Sequence, residues 1–221
     1  MRFRQVLTLG VAISALASPA YAQEADSAAT DDSLGLDEIV VTATPRAANR
    51  LETSVSVSSL DDQAVADAAP RTTAEIFRQI PGIRSESTGG DGNANIAVRG
   101  LPVASGGAKF LQLQEDGLPV MQFGDIAFGN ADIFLRADQT VRTIQAVRGG
   151  SASTLASNAP GGVINFVSKD GSQEGGTIMA TLGVDYEDYR IDFNYGAKIG
   201  ENTRFNIGGF WREGEGPRRA G

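Results

Sequence analysis

Tyr189-Arg190-Ile191-Asp192-Phe193-Asn194-Tyr195-Gly196-Ala197-Lys198-Ile199 alternates between two kinds of residue from end to end. Tyr189, Ile191, Phe193, Tyr195, Ala197 and Ile199 fall on one side; Arg190, Asp192, Asn194, Gly196 and Lys198 fall on the other. Successive side chains of a strand point to opposite faces, so the spacing predicts a strand with one apolar and one polar face. The flanking segments repeat the pattern. In Thr177–Tyr186, Ile178, Ala180, Leu182, Val184 and Tyr186 oppose Thr177, Met179, Thr181, Gly183 and Asp185. In Thr203–Trp211, Phe205, Ile207, Gly209 and Trp211 oppose Arg204, Asn206 and Gly208, and Phe210 breaks the pattern. Short turns at Glu187-Asp188 and Gly200-Glu201-Asn202 join the three into an antiparallel meander. Each is close to the roughly 9 to 11 residues that a tilted strand needs to cross a bilayer. Tyr186, Tyr189 and Trp211 stand near strand ends, where the aromatic girdles of a barrel belong. A soluble sandwich that hides its apolar face alternates in the same way, so the pattern alone leaves both open.

Upstream the rhythm changes to short mixed elements. Val55 and Val57 alternate with Ser and predict a short strand. Asp61 or Asp62 is placed to cap a helix running to about Ala68. Thr72-Thr73-Ala74-Glu75 has the form of a capping box. It opens a helix from Thr73 to Gln79 with Ile76, Phe77 and Ile80 on its apolar side, stopped by Pro81-Gly82. Strands are predicted at Ile83–Glu86, Ile96–Gly100, Gln112–Gln114, Val141–Arg148 and Val163–Val167, with turns at Gly89–Gly92 and Asp116-Gly117. Ala131–Asp138 is predicted to be helical. The glycine pairs Gly149-Gly150 and Gly161-Gly162 invite a phosphate-loop reading, but neither Gly-Lys-Ser/Thr nor G-x-G-x-x-G occurs. A steric role, in turns and close backbone packing, is the simpler reading.

The N-terminal end carries an address. Arg2 and Arg4 form a positive start, Val6–Ala17 is a mostly apolar run, and Ala20-Tyr21-Ala22 is a small-x-small cleavage site. This is the form of a signal peptide covering 1–22. About 12 helical residues reach roughly 18 Å, short of the roughly 30 Å of a bilayer core. Residues 23–50 offer little to bury and are expected to be disordered, except at Asp37-Glu38-Ile39-Val40-Val41-Thr42-Ala43. There the β-branched Ile39, Val40, Val41 and Thr42 favour extended backbone, and Pro45 ends the run. Such a strand is suited to adding onto another protein's sheet edge, or to lying at the edge of the first domain.

Several motifs resemble those of TonB-dependent outer-membrane receptors. Asp37–Ala43 closely resembles the TonB box and lies shortly after a signal peptide, as in that family. Phe77-Arg78-Gln79-Ile80-Pro81-Gly82-Ile83, Ile96-Ala97-Val98-Arg99-Gly100, Asp116-Gly117-Leu118-Pro119-Val120, Ile144–Gly150 and Asn158–Asn165 resemble plug-domain motifs and stand in family order. Arg148-Gly149-Gly150 departs from the usual Arg-Gly-Pro, and Leu155-Ala156-Ser157 from Leu-Tyr-Gly. The resemblance implies an α+β plug domain, a small mixed sheet with short helices, over 51–170. It also implies the first three antiparallel strands of a transmembrane β-barrel over 171–221, and it favours the barrel over the sandwich. A barrel of about 22 strands needs more than three, and an open edge in lipid leaves backbone groups unsatisfied. The chain is therefore expected to be a truncated piece that does not transport alone, with the remaining barrel sequence missing.

The expected function follows from the resemblance: TonB-dependent uptake of an iron-siderophore, a corrinoid or an oligosaccharide across the outer membrane of a Gram-negative cell. The expected partners are the C-terminal domain of TonB, outer-membrane lipid and a small-molecule or oligosaccharide cargo. Asp37, Glu38, Ile39, Val40, Val41, Thr42 and Ala43 are the expected TonB contacts. Arg99 and Arg148, each ending an apolar strand, are implied to latch the plug to barrel glutamates. Gln112, Gln114, Gln122, Asp125 and Asn130 are candidates for the face that meets cargo. The alternative is a soluble secreted β-rich binding module.

Composition sets the exclusions. The 221 residues contain no Cys and no His, which removes disulfides, thiol nucleophiles, His bases and the usual zinc ligands. Asp61-Asp62 and Glu187-Asp188 are neighbours in a cap or turn rather than catalytic carboxylate pairs. No enzyme activity, cofactor or metal is expected. The net charge is −8, and losing Arg2 and Arg4 with the signal peptide makes it −10. With no large basic patch, nucleic acid is not an expected partner.

Overall fold

The computed structural model describes residues 40–41, 48–49, 56–87, 92–102, 110–120, 131–149, 152, 156–157, 159–184 and 187–214. Of the sequence expectations, the signal peptide lies outside the described residues, as do Asp37, Glu38, Ile39, Thr42, Ala43, Tyr186 and most of the turn at Gly89–Gly92. Gln122, Asp125 and Asn130 also lie outside them.

Two strands come first, β1 (Val40–Val41) and β2 (Ala48–Asn49), paired antiparallel as a separate two-stranded sheet. The sequence suggested a lone strand here; the structure gives it a partner within its own arm. Next come β3 (Val57–Asp61), α1 (Asp62–Ala68) and α2 (Thr73–Arg78), then the hairpin of β4 (Ile83–Ser87) and β5 (Ala94–Val98). β6 (Leu111–Glu115), β7 (Leu118–Pro119), β8 (Val141–Arg148) and β9 (Gly162–Ser168) complete a five-stranded sheet in the order β3-β8-β9-β6-β7. Within it β6 and β9 run parallel and all other neighbours antiparallel.

Local chemistry accounts for most boundaries. Asp61 caps α1, its carboxylate accepting from the Ala64 amide at 2.7 Å. Asp116 and Gly117 both have positive φ, 50° and 82°, the geometry of a tight hairpin turn between β6 and β7. At the head of β9, a Cβ on Gly162 would stand 2.6 Å from the Val147 carbonyl, which gives that glycine pair its steric role.

Two expectations are corrected. Thr72-Thr73-Ala74-Glu75 does not form a capping box: Thr72 makes no side-chain cap bond. Glu75 instead accepts from the Arg71 amide at 2.7 Å, one residue too early, while the Thr73 hydroxyl is drawn to Asp132 at 2.7 Å. Ala131–Asp138 is helical only as one 3-10 turn at Ala131–Phe134. Asp132 is fully buried and also accepts from the Ala94 amide at 2.8 Å, pinning the turn between α2 and β5. Leu135 then drops into the core, ending the helix.

The main core lies between α2, the β4–β5 hairpin and one face of the five-stranded sheet. Ile76, Phe77 and Ile80 pack with Ile144, Ile164 and Phe166, and Phe77 meets Phe166 edge to face at 6.3 Å. This is the apolar side read for α2 from its spacing.

The last three strands are β10 (Gly175–Gly183), β11 (Asp188–Ile199) and β12 (Thr203–Gly214), an antiparallel meander in which β11 is central. Their burial is inverted. Asp188, Asp192 and Asn194 are buried, while Ile178 is 82% and Trp211 54% exposed. Ile191, Phe193, Tyr195 and Ile207 share that open face. The sheet turns its polar side toward the mixed domain and its apolar side away.

Candidate functional site

The polar side of the β10–β12 sheet grips the mixed domain with a set of charged side chains. Asp188, at the start of β11, holds Arg71 at 3.0 Å and Arg212 of β12 at 3.0 Å. Arg212 Nη1 also donates to the Arg71 carbonyl at 3.3 Å. One turn of pleat further on, Arg190 pairs with Asp192 through two bonds of 2.7 and 2.8 Å and donates to the Ala137 carbonyl at 2.9 Å. Its guanidinium lies 4.2 Å over the Phe210 ring. Phe210 thus breaks the alternation because it faces the domain, serving as a stacking surface for Arg190. Paired and hydrogen-bonded in this way, the charges can be taken from water at tolerable cost.

Sequence reasoning did not pick out Arg71, Arg190, Asp192 and Arg212. The available signal was Asp192, a carboxylate in mid-strand on the inward face, together with the misplaced Phe210. Arg71 and Asp188 lie 117 residues apart, and no local pattern links them.

Arg99 and Arg148, singled out separately from the sequence, converge. Arg99 follows β5 with a φ of 43°, and its amide donates to the Gly82 carbonyl at 3.0 Å. Arg99 Nη2 donates to the Ser56 hydroxyl at 2.8 Å. Arg148, buried at the end of β8, reaches the same hydroxyl at 3.4 Å, Ser58 at 2.6 Å, and the Pro81 carbonyl. Both guanidinium groups therefore hold the entry to β3.

Gln112 and Gln114 are buried on the face of β6 turned away from the main core. Gln114 donates to Gln112 at 2.6 Å, and Gln112 to the Ser157 carbonyl at 3.3 Å. Strand register places Gln114, Asn165, Gln145 and Ser59 in one row across the sheet. Asn165 accepts from the Gly117 amide at 2.9 Å. The described residues contain no group of three or more His, Cys, Asp or Glu placed to hold a metal ion.

A small α+β domain seated on the polar side of an outward-apolar antiparallel sheet is the arrangement of a plug against a barrel wall. The family model of the TonB-dependent Receptor Plug Domain matches residues 49–163, more than half of the chain, and the chain belongs to that family. Among curated proteins it is 31% identical over 206 residues to the vitamin B12 transporter BtuB of Vibrio cholerae, covering 92% of this chain and 31% of that protein. It is 30% identical over 173 residues to a hemin receptor of Yersinia pestis, covering 76% of this chain and 24% of that one. Solved structures share the fold. The ferripyoverdine receptor of the outer membrane of Pseudomonas aeruginosa has a TM-score of 0.59 at 19% identity, over 77% of this chain and 22% of its own. The alcaligin outer-membrane receptor FauA of Bordetella pertussis has a TM-score of 0.56 at 22% identity, over 79% and 29%. The chain spans about a third or less of the length of these curated relatives.

Proposed function

We propose that this chain supplies the plug and the first wall strands of a receptor that takes up a scarce solute across the outer membrane, driven through TonB. The observation that carries the reading is the inverted β10–β12 sheet, with buried carboxylates facing the plug and Ile178, Phe193 and Trp211 facing out. In water such a face is a liability; in lipid each well-covered Ile or Phe gains about 1.5–3 kcal/mol. That weighs against a soluble binding module. On this reading β10–β12 are membrane-spanning strands, preceded by the plug at 51–170 and, at 1–22, by a cleaved signal peptide.

Asp37–Ala43 is the segment TonB would seize. Among the described residues β1, its described part, pairs with β2 in a two-stranded sheet, an arrangement to which a further strand can add. Arg99 and Arg148 would hold the plug against wall carboxylates. Gln122, Asp125 and Asn130, with Gln112 and Gln114, would lie toward the cargo. The cargo class is a metal-siderophore, a corrinoid or an oligosaccharide; the named relatives handle vitamin B12 and hemin.

Retention of the mature chain by immobilised TonB C-terminal domain tests the reading. Binding is expected and should be lost in Val41→Pro, which removes a ladder donor. Binding that survives Val41→Pro overturns the strand-pairing claim, and no binding at all overturns TonB coupling.

A further inference from the structure

The plug is not held uniformly, and the two ends of its first quarter differ most. Among the described residues β3 is an edge strand with a single neighbour, β8, and Val57 is its one buried residue. α1 buries no residue at all. Beyond its ladder β3 is fastened by Val57 and the half-buried Leu60, and by polar bonds in which Ser56 and Ser58 accept from Arg99 and Arg148 and Thr143 donates to the Leu60 carbonyl at 3.0 Å. α1 adds the half-buried Val65 and an ion pair of Asp62 with Lys169 at 3.1 Å. Immediately after α1 the chain reaches Arg71, whose side chain and carbonyl are both taken by the wall through Asp188 and Arg212. Arg190 secures the Ala137 carbonyl nearby. A peripheral, little-buried unit thus ends at a reciprocal clamp, with charged groups passing in both directions between plug and wall.

We infer that Asp188 is a positioning residue that stops plug displacement at Arg71: traction on the N-terminal arm strips β3 and α1 from the plug, and everything from Arg71 onward stays on the wall. Segments with few buried contacts open at low free energy, whereas truncating one partner of a buried charge network is costly. Departure of β3 bares the edge of β8 and takes the Ser56 and Ser58 hydroxyls from Arg99 and Arg148. It also exposes Val147, the register partner of Val57. The row Gln145, Asn165 and Gln114 shares that side of the sheet and gives it a polar lining. The inference rests on the proposed traction by TonB.

The test uses the full receptor in outer membranes and exploits the absence of native cysteine from this chain. Val147→Cys, fully buried in the cluster to which β3 contributes Val57, should become reactive to a periplasmic maleimide when TonB is energised and lose that reactivity when the proton gradient is collapsed. Ile164→Cys, fully buried on the opposite face of β9, should stay unlabelled in both states. Adding Asp188→Asn should make Ile164→Cys label in the energised state alone, while Arg71→Lys should keep it protected. Labelling of Ile164→Cys with the clamp intact, or none of Val147→Cys, overturns the inference. Labelling of Ile164→Cys in Asp188→Asn without energy also overturns it, because the clamp would then be merely structural. In a second arm the N-terminal segment is pulled through an attached handle instead of TonB. Lengthening that halts before Arg71, and runs past it in Asp188→Asn, upholds the clamp even where TonB fails to bind. Lengthening that runs past Arg71 at the same force with or without Asp188 overturns the clamp without touching the TonB reading.

Discussion

The five-stranded plug sheet and the three-stranded wall sheet use one structural rule in opposite senses. In β8 and β9, Ile144, Ala146, Ile164 and Phe166 turn inward onto Phe77, and the charged side chains lie at strand ends. In β10 to β12 the apolar side chains turn outward and Asp188, Asp192 and Asn194 turn inward. The plug stabilises itself by hiding apolar area from water. The wall depends on a surrounding that is itself apolar, and keeps its polar groups satisfied by bonding them to the plug. One sheet is complete on its own terms; the other is defined by what stands on each side of it.

Five changes would break or sharpen this contrast. The largest effect is expected for Phe77→Ala, which hollows the plug core beside Phe166 and should cost about 3–5 kcal/mol in urea unfolding; a loss under about 1 kcal/mol would mean that the plug core is not where the described packing puts it. Next comes Phe193→Arg on the open face of β11. In lipid vesicles it should cost about 2–4 kcal/mol if it sits near mid-bilayer, whereas in detergent-free buffer it should improve solubility. The same penalty in both media would remove the distinction between plug and wall. A smaller pair separates two helix starts within the plug. Asp61→Ala should cost about 1 kcal/mol because its carboxylate caps α1, and Thr72→Ala should stay within about 0.5 kcal/mol because that hydroxyl caps nothing; thermal unfolding reads both.

The smallest effect is at the plug–wall junction. Bonds from the Ser172 side chain and amide, with the charge of Arg204 nearby, hold the Asp170 carboxyl below the usual carboxylate value. A lowered folded-state value means a contribution present above the unfolded value of about 3.9 and lost as pH falls through the lower folded one. Asp170→Asn should therefore unfold slightly more easily than the parent at pH 7, and the two should converge in strong acid. A gap that widens in acid would reverse the assignment.

Much of this fold is legible in the chain itself because it depends on neighbours within a few residues. Period-two alternation marks β10, β11 and β12, the spacing of Ile76, Phe77 and Ile80 marks the buried side of α2, and Asp116-Gly117 marks a hairpin. Local patterns misled where distant groups decide: Asp132 takes the Thr73 hydroxyl from 59 residues away and the Ala94 amide, and Ala131–Asp138 winds only one 3-10 turn before Leu135 enters the core.

What the sequence by itself determined is that β10–β12 have two unlike faces, because side-chain direction along a strand follows from the backbone alone. Which face meets the plug, how Arg99 and Arg148 come to share Ser56, and why Arg71 ends on Asp188 were decided only by tertiary structure. These depend on closing long loops and on which surface supplies partners for charge, and no stretch of chain carries that information about a surface it has yet to meet.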